Sequence, residues 1–345
     1  MRVAVVGSGA LGTIIGALIT AGGQEIDLID INEKHVKTLN KSGAKITGFI
    51  DRSIPVKALL PGEMNGTYDL IFLLIKQVYN SISLKQLLPH LHINSIVCTL
   101  QNGVPEEDVA SVVGRDRAVG GVVGFGATWI KPGESKLTTE LDTVKKYAFD
   151  IGEIDGTITP RLKLIKEILS HVGNCDISSN LMGIKWTKLL MNATFSGMSA
   201  ALGCTFGDVL ANKTAMVSLA YIADETIKVA HAHGIKLVSM QGKDMEFLEL
   251  KDQHDIFNKM KFYNEVWEPH SNLKASMLQD LERNIKSEID FINGFVSKKG
   301  KEVGIQTPYN DLVVELVKAA EIKNMVPKFN DNINKFANLQ ILSFK

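Results

Sequence analysis

The chain is poor in cysteine. Cys98, Cys175 and Cys204 are scattered over 345 residues with no C-x-x-C pair. A disulfide scaffold and a structural zinc site are not expected, so no metal is assigned, and the usage fits a reducing cytoplasm. An excess of one charge is also missing: 38 Lys and Arg balance 38 Asp and Glu. Proteins that live on phosphate backbones carry a basic surplus, so nucleic acid is not an expected partner. No run reaches the roughly 18 uninterrupted apolar residues of a spanning helix, which argues against a membrane partner. Residues 1–23 are apolar enough to resemble a secretory leader. Their glycines, and the charged, strand-like EIDLIDIN that follows, argue otherwise, so a soluble, unprocessed, cytoplasmic chain is expected. Internal repeats and low-complexity tracts are absent. What remains is ordinary globular composition, 45% hydrophobic and 22% charged. The length suggests about two domains.

Residues 1–180 alternate short apolar runs with helical ones. RVAVV (2–6), EIDLID (25–30), DLIFLLIK (69–76) and SIVCTL (95–100) read as strands. Ala10 to Gly22, INEKHVKTLNKSG and SISLKQLLPHL read as helices, and AVGGVVGFGATWI as β structure and turns. Strands separated by helices indicate a parallel, doubly wound sheet. Beyond about residue 180 the strand signal fades. SNLMGIKWTKLLMNATFSGMSAALG, TAMVSLAYIADETIKVAHAHG and SMLQDLERNIKSEIDFINGFVSKKGKEVG are each helix-length. Segment 236–272 is mixed and aromatic, readable as a short helix plus a loop, or as a lid. The expected organisation is an α/β domain over 1–180 and an all-α domain over 181–345.

Gly7-Ser8-Gly9-Ala10-Leu11-Gly12 is G-x-G-x-x-G, directly after a strand and opening a helix. In that setting Gly7 permits the tight turn, Gly9 lets backbone approach a pyrophosphate, and Gly12 lets helix and strand pack closely. The helix start then holds the anion, as in a Rossmann-type site. A glycine-rich turn with no ligand is the blander reading. Asp30 ends the second strand where such sites place an acid for the adenosine ribose. It would repel the 2′-phosphate of NADP(H), and Ile31 and Asn32 offer no Arg to receive it, so NAD(H) is preferred. Asp27 could compete but lies inside the strand, and Asp30 could merely cap the next helix.

Two more groups stand where chemistry is expected. Lys76 and Asn102 follow apolar strands at their carboxyl ends, where open α/β sheets bind ligands. Lys188, Asn192 and Ser196 are spaced i, i+4, i+8, so one helix face presents all three. An ammonium placed there could stabilise and protonate the oxygen of a ketone that receives a hydride. Read alone, Lys188 and Lys76 are equally surface lysines, and Asn192 a satisfied core amide. His231 and His233 are i, i+2 and do not share a face, so they read as helix-end charges rather than a metal pair.

Taken together, GSGALG, LLIKQVYN, LQNGV, WTKLLMNATFSGMSAALG and SMLQDLERNIKSEIDFINGF resemble the ketopantoate reductase family over nearly the whole chain. The resemblance implies a Rossmann domain followed by a helical domain like the C-terminal part of 6-phosphogluconate dehydrogenase. It implies reduction of a 2-keto acid with a nicotinamide cofactor, with NADP(H) the family default. It makes Lys188 the catalytic lysine and assigns Asn192, Ser276 and Glu288 to substrate and cofactor. Glu288 could orient Lys188 or bind substrate or ribose; the blander readings are a helix-surface charge for Glu288 and a helix N-cap for Ser276. Asn102 falls beside the nicotinamide, Lys76 lines the cleft, and Ala127 contacts the cofactor. An unbroken helix would hold Ser276 and Glu288 about 18 Å apart, so they would meet different parts of the ligands. Ser196, Phe206 and Leu273 stand where the family tends to have asparagines. An expectation follows that branched or aromatic 2-keto acids are reduced as well as ketopantoate, as by a D-2-hydroxy acid dehydrogenase. A dinucleotide sensor without turnover is the reading from another class. A homodimer through the apolar helices is the remaining partner expectation.

Overall fold

A computed structural model of the chain describes residues 1–240 and 242–343. The chain forms two compact units, Met1–Leu181 and from Met182 onward. No helix among the described residues is long and apolar enough to cross a membrane.

The first unit is built on twelve strands: β1 (Val3–Val6), β2 (Ile26–Ile29), β3 (Ala44–Gly48), β4 (Arg52–Ile54), β5 (Lys57–Leu59), β6 (Tyr68–Leu73), β7 (Leu91–Thr99), β8 (Ala118–Val123), β9 (Ala127–Lys131), β10 (Glu134–Leu137), β11 (Phe149–Gly152) and β12 (Cys175–Ile177). Its helices are α1 (Ala10–Ala21), α2 (Glu33–Ser42), α3 (Asn80–Leu87), α4 (Glu106–Val113), α5 (Leu141–Tyr147) and α6 (Pro160–Leu169). Eight strands form one sheet in the order β12-β11-β8-β7-β6-β1-β2-β5, parallel except at β8/β11.

Strand side chains alternate between two cores. Val3, Val5, Leu70 and Phe72 join α1, α2 and α6 on one face. Ala4, Val6, Ile71 and Leu73 join α3 and α4 on the other. Burial on both faces is why these strands read as unbroken apolar runs. From β1 the chain adds β2 and β5 on one side, then returns to add β6, β7 and β8 on the other. That reversal creates a switch point at the carboxyl ends of β1 and β6, where sheets of this kind receive ligands.

A second sheet, β4-β3-β10-β9, was not foreseen. Its strands are three to five residues long and only half-buried, and its β3/β10 pairing joins residues about ninety positions apart. Neither feature leaves a periodic trace in the sequence.

The second unit is helical: α7 (Leu181–Met191), a π-helical turn (Asn192–Ser196), α8 (Gly197–Leu202), α9 (Phe206–Ala211), α10 (Lys213–Ala232), α11 (Ile256–Trp267), α12 (Ser276–Glu282), α13 (Asn293–Glu302), α14 (Pro308–Lys323) and α15 (Phe329–Ser343). The α-helix/β-sheet half followed by an all-α half is the fold class expected. α10 is the central helix and packs against α9, α11, α13, α14 and α15. Segment 236–272 is more ordered than a loop. In α11, Tyr263 and Lys259 are buried, and Lys259 pairs with Asp255 at 2.9 Å and lies 3.9 Å over the Phe247 ring. Gln241 in this segment lies outside the described residues.

The expected helix over residues 276–304 is broken. Asn284 takes the left-handed conformation at φ 54°, and Ser287 donates to Glu321 through both its N–H and its hydroxyl, each at 2.7 Å. A tertiary anchor thus overrides local helix propensity.

Candidate active site

The turn after β1 behaves as its glycines dictate. Gly7 has φ +97°, and a Cβ there would fall 2.5 Å from the Ile75 nitrogen. A Cβ on Gly12 would fall 2.0 Å from the Gly7 carbonyl oxygen. Both positions are closed to other residues. Around Gly9, by contrast, nothing lies within 4 Å of a built Cβ. Gly9 precedes the first residue of α1, and no acid occupies that helix's first turn. The start of α1, at Ala10, Leu11 and Gly12, therefore opens onto free space with its partial positive charge uncompensated, a cradle that fits an anion.

The turn is also braced, and sequence reasoning missed the brace. The Ser8 carbonyl accepts hydrogen bonds from Thr13 Oγ1 and His35 Nε2, each at 2.7 Å. His35 Nδ1 accepts from the Gly133 N–H at 2.9 Å, which ties α2 to the β9–β10 hairpin. These bonds require the neutral ring with its proton on Nε2. Two of the three partners are backbone groups, which leave no side-chain signature to find.

Asp30 stands past the end of β2, and one carboxylate oxygen accepts the Asn32 N–H at 2.9 Å. Asn32, not Asp30, caps α2 by accepting from the His35 N–H at 3.1 Å. Asp27 is committed elsewhere, to Lys57 at 2.8 Å, Tyr68 at 2.8 Å and Arg2 at 3.3 Å. Burial pushes its carboxyl up, but these partners outweigh burial and hold it below the ordinary carboxylate range. Lys76 follows β6 and Asn102 follows β7, both at carboxyl ends and partly buried. Ala127 begins β9 in the second sheet and so belongs to a different sheet from the other cofactor candidates.

In the second unit, residues 183–202 are buried except at Lys188, Met191, Asn192 and Ser196. The three residues expected on one face are therefore on the accessible face. The π-helical turn contributes to this. Eight residues of plain α-helix would swing Ser196 about 80° away from Lys188. A turn bonded i→i+5 takes more residues per revolution and brings Ser196 back toward it. Lys188 has no hydrogen-bond or ion-pair partner among the described residues. Burial, and then the nearby charge of buried Lys185, push its ammonium below the ordinary lysine range. Lys185 was missed, although it lies one turn before Lys188.

Ser276 is exposed at the first residue of α12, with Ala275 at the cap position. Glu288 is buried and lies in the irregular stretch beyond the break at Asn284, so the expected separation along one straight helix does not apply. Phe206 is packed against Phe195 and Trp267 at ring separations of 5.6 and 5.5 Å, and Leu273 is 43% exposed. Of the three departures from the family pattern, only Ser196 shares the accessible face with Lys188. His231 pairs with Glu246 through Nε2 at 2.6 Å and faces Glu249 through Nδ1 at 3.6 Å, while His233 bonds the Lys299 carbonyl at 3.0 Å. The two carboxylates meet different nitrogens of the His231 ring, which ties the end of α10 to segment 236–272.

Comparison with known proteins bears on both units. Residues 3–148 match the family model for ketopantoate reductase PanE/ApbA, and residues 180–321 match that of its C-terminal part. The chain is 27% identical over 321 residues to a 2-dehydropantoate 2-reductase of Archaeoglobus fulgidus, spanning 93% of this chain and 98% of that protein. It is 28% identical over 324 residues to one of Pyrococcus horikoshii, with the same coverage of 93% and 98%. Among solved structures it is similar to a D-mandelate dehydrogenase in ternary structure with NADH and anilino(oxo)acetate. That match has a TM-score of 0.79 at 25% identity, covering 94% and 99% of the two chains. A 2-dehydropantoate 2-reductase from Geobacter metallireducens matches with a TM-score of 0.77 at 25% identity, covering 93% and 100%.

Proposed function

The chain belongs to the ketopantoate reductase family, and from that premise we propose that it reduces ketopantoate to pantoate. The observation that carries the reading is Lys188: a partly buried ammonium with no acceptor of its own, on the accessible face that also presents Asn192 and Ser196. A reduced nicotinamide, held at the β1–α1 turn, would supply the hydride for the keto carbon. Lys188 gives its proton to the carbonyl oxygen as negative charge develops there, and becomes a neutral amine that water reprotonates. The lowered proton affinity imposed by burial and Lys185 makes that release easier. A dinucleotide sensor needs no such donor.

The other residues divide by role. Gly7, Ser8, Gly9, Ala10, Leu11 and Gly12 hold the diphosphate, Asp30 the adenosine ribose, and Lys76, Asn102 and Ala127 the remainder of the cofactor. Asn192, Ser196 and Ser276 take the carboxylate and hydroxyl of the keto acid. Glu288 acts with Lys188. NADH is the preferred reductant, because Asp30 rejects a 2′-phosphate, and the capture of NADH by the similar D-mandelate dehydrogenase supports a nicotinamide cofactor.

Phe206 is consumed by core packing and Leu273 faces solvent, so of the three departures Ser196 alone remains on the Lys188 face. The curated relatives cited above are named for ketopantoate reduction, and ketopantoate is favoured over branched or aromatic acids. Oxidation of NADH or NADPH, followed optically with ketopantoate, tests the reading. Turnover that vanishes in a folded Lys188→Ala variant supports it, and near-normal turnover in that variant rejects it.

A further inference from the structure

Glu288 is followed by IDFING (289–294), whose asparagine the reductase reading leaves without a task. Asn293 opens α13 and is completely buried. Its Nδ2 donates to the Ala193 carbonyl at 3.0 Å and to Asn310 Oδ1 at 2.9 Å. Ala193 lies inside the π-helical turn. Such a turn displaces the i→i+4 ladder, and a carbonyl it strands in a core must find a donor elsewhere.

Asn310 is fixed in turn by Glu225. Its N–H and Nδ2 donate to Glu225 Oε2 at 3.0 and 2.8 Å, while the Tyr309 N–H donates to Oε1 at 2.9 Å. A buried chain of contacts thus runs from Glu225 on α10, through Asn310 on α14 and Asn293 on α13, to the turn that carries Asn192 and Ser196. A second observation comes from Gly197. A Cβ there would fall 2.7 Å from Asn293 Oδ1, so glycine at 197 is the space into which the Asn293 amide fits.

We propose that Asn293 is a positioning residue that clamps the π-helical turn and so aligns Asn192 and Ser196 with Lys188 for binding of the 2-keto acid. The proposal rests on the reading of that face as the substrate face. Being fully buried, Asn293 acts through the turn and not by touching a ligand.

The test compares amide hydrogen exchange at residues 193–198 and steady-state kinetics in Asn293→Ala. Exchange in that stretch should rise at least tenfold. KM for ketopantoate should rise at least tenfold while kcat falls less than about threefold, because Lys188 sits in the intact ladder of α7. The dissociation constant for NADH should not change. Leu316→Ala, a cavity in α14, should lower stability without moving KM, which separates positioning from general loosening. Gly197→Ala should reproduce the KM and exchange effects in the parent chain and add almost nothing once Ala stands at 293, where its methyl finds room. If Asn293→Ala does not fold, Gly197→Ala carries the exchange and KM comparison by itself. Unchanged exchange, or additive effects of the two substitutions, overturns the clamp even in an active enzyme. Faster exchange in a chain whose parent shows no turnover supports the clamp and rejects the reductase reading beneath it.

Discussion

A lysine held away from water beside another lysine releases its proton more readily than one on a surface, and it costs stability while it stays charged. Lys188 has both properties. Lys188→Ala should lower kcat at least about 100-fold, the usual scale of acid–base assistance, with NADH affinity retained. Lys188→Met should be as inactive but more stable. The cost is full below the lowered pKa of Lys188 and fades as pH climbs toward the ordinary 10.5, so the variant's advantage should shrink in alkali. Thermal melts at several pH values check it: Tm should be higher in the variant at neutral pH and the gain should shrink in alkali, and an unchanged Tm argues against a strained charge. Asp30 makes a second claim at this scale. NADH should exceed NADPH in kcat/KM by about 2–4 kcal/mol of discrimination, and Asp30→Ala should narrow the gap. A preference for NADPH in the parent enzyme would remove Asp30 from the ribose.

At the scale of elements, the turn between β1 and α1 separates folding from binding. A Cβ at Gly9 meets nothing within 4 Å, so Gly9→Ala should lower Tm far less than Gly12→Ala yet raise the dissociation constant for NADH roughly tenfold or more. Gly12→Ala, pressed against the Gly7 carbonyl, should instead damage the fold. Calorimetry and cofactor titration of the pair distinguish the two; equal effects of both would mean that no anion sits at Gly9. A second element-level prediction concerns the start of α14, which is capped from outside by Glu225. Burial pushes that carboxyl from the ordinary 4.5 up to about 8, against the pull of its three hydrogen bonds. A raised acid contributes stability below its unfolded value and loses it as pH rises through the folded one, so stability should decline between about pH 4.5 and 8. Glu225→Gln should flatten that slope, whatever its effect on the absolute level; an identical slope in the variant would contradict the assignment. Much of this scale was legible. The glycine pattern marked the β1–α1 turn, and the spacing of Lys188, Asn192 and Ser196 marked their face. The π-helical turn that perfects that face, the break at Asn284 and the His35 brace were not, because each depends on a partner remote in sequence: Asn293, Glu321 and Gly133 respectively.

Over the whole molecule, the alternation of strands and helices and its change near residue 180 were enough to read the fold class, since parallel strands and long amphipathic helices differ in period and in apolar length. The small second sheet was not, because its pairing is long-range and its strands are short. Substrate choice was the least legible property. Phe206 and Leu273 stand where the family tends to have pocket amides, and only the packing of Phe206 and the exposure of Leu273 separate them from the Lys188 face. The polar groups on the Lys188 face, with Ser276, are proposed to serve an acid that carries both a carboxylate and a hydroxyl, and a site built for such groups discriminates against acids that leave them unpaired. The most direct test is kcat/KM for ketopantoate against 2-ketoisocaproate and phenylglyoxylate under one cofactor condition. The account predicts an advantage for ketopantoate of about tenfold or more, ~1.4 kcal/mol; a branched or aromatic acid reduced equally well or better would contradict it.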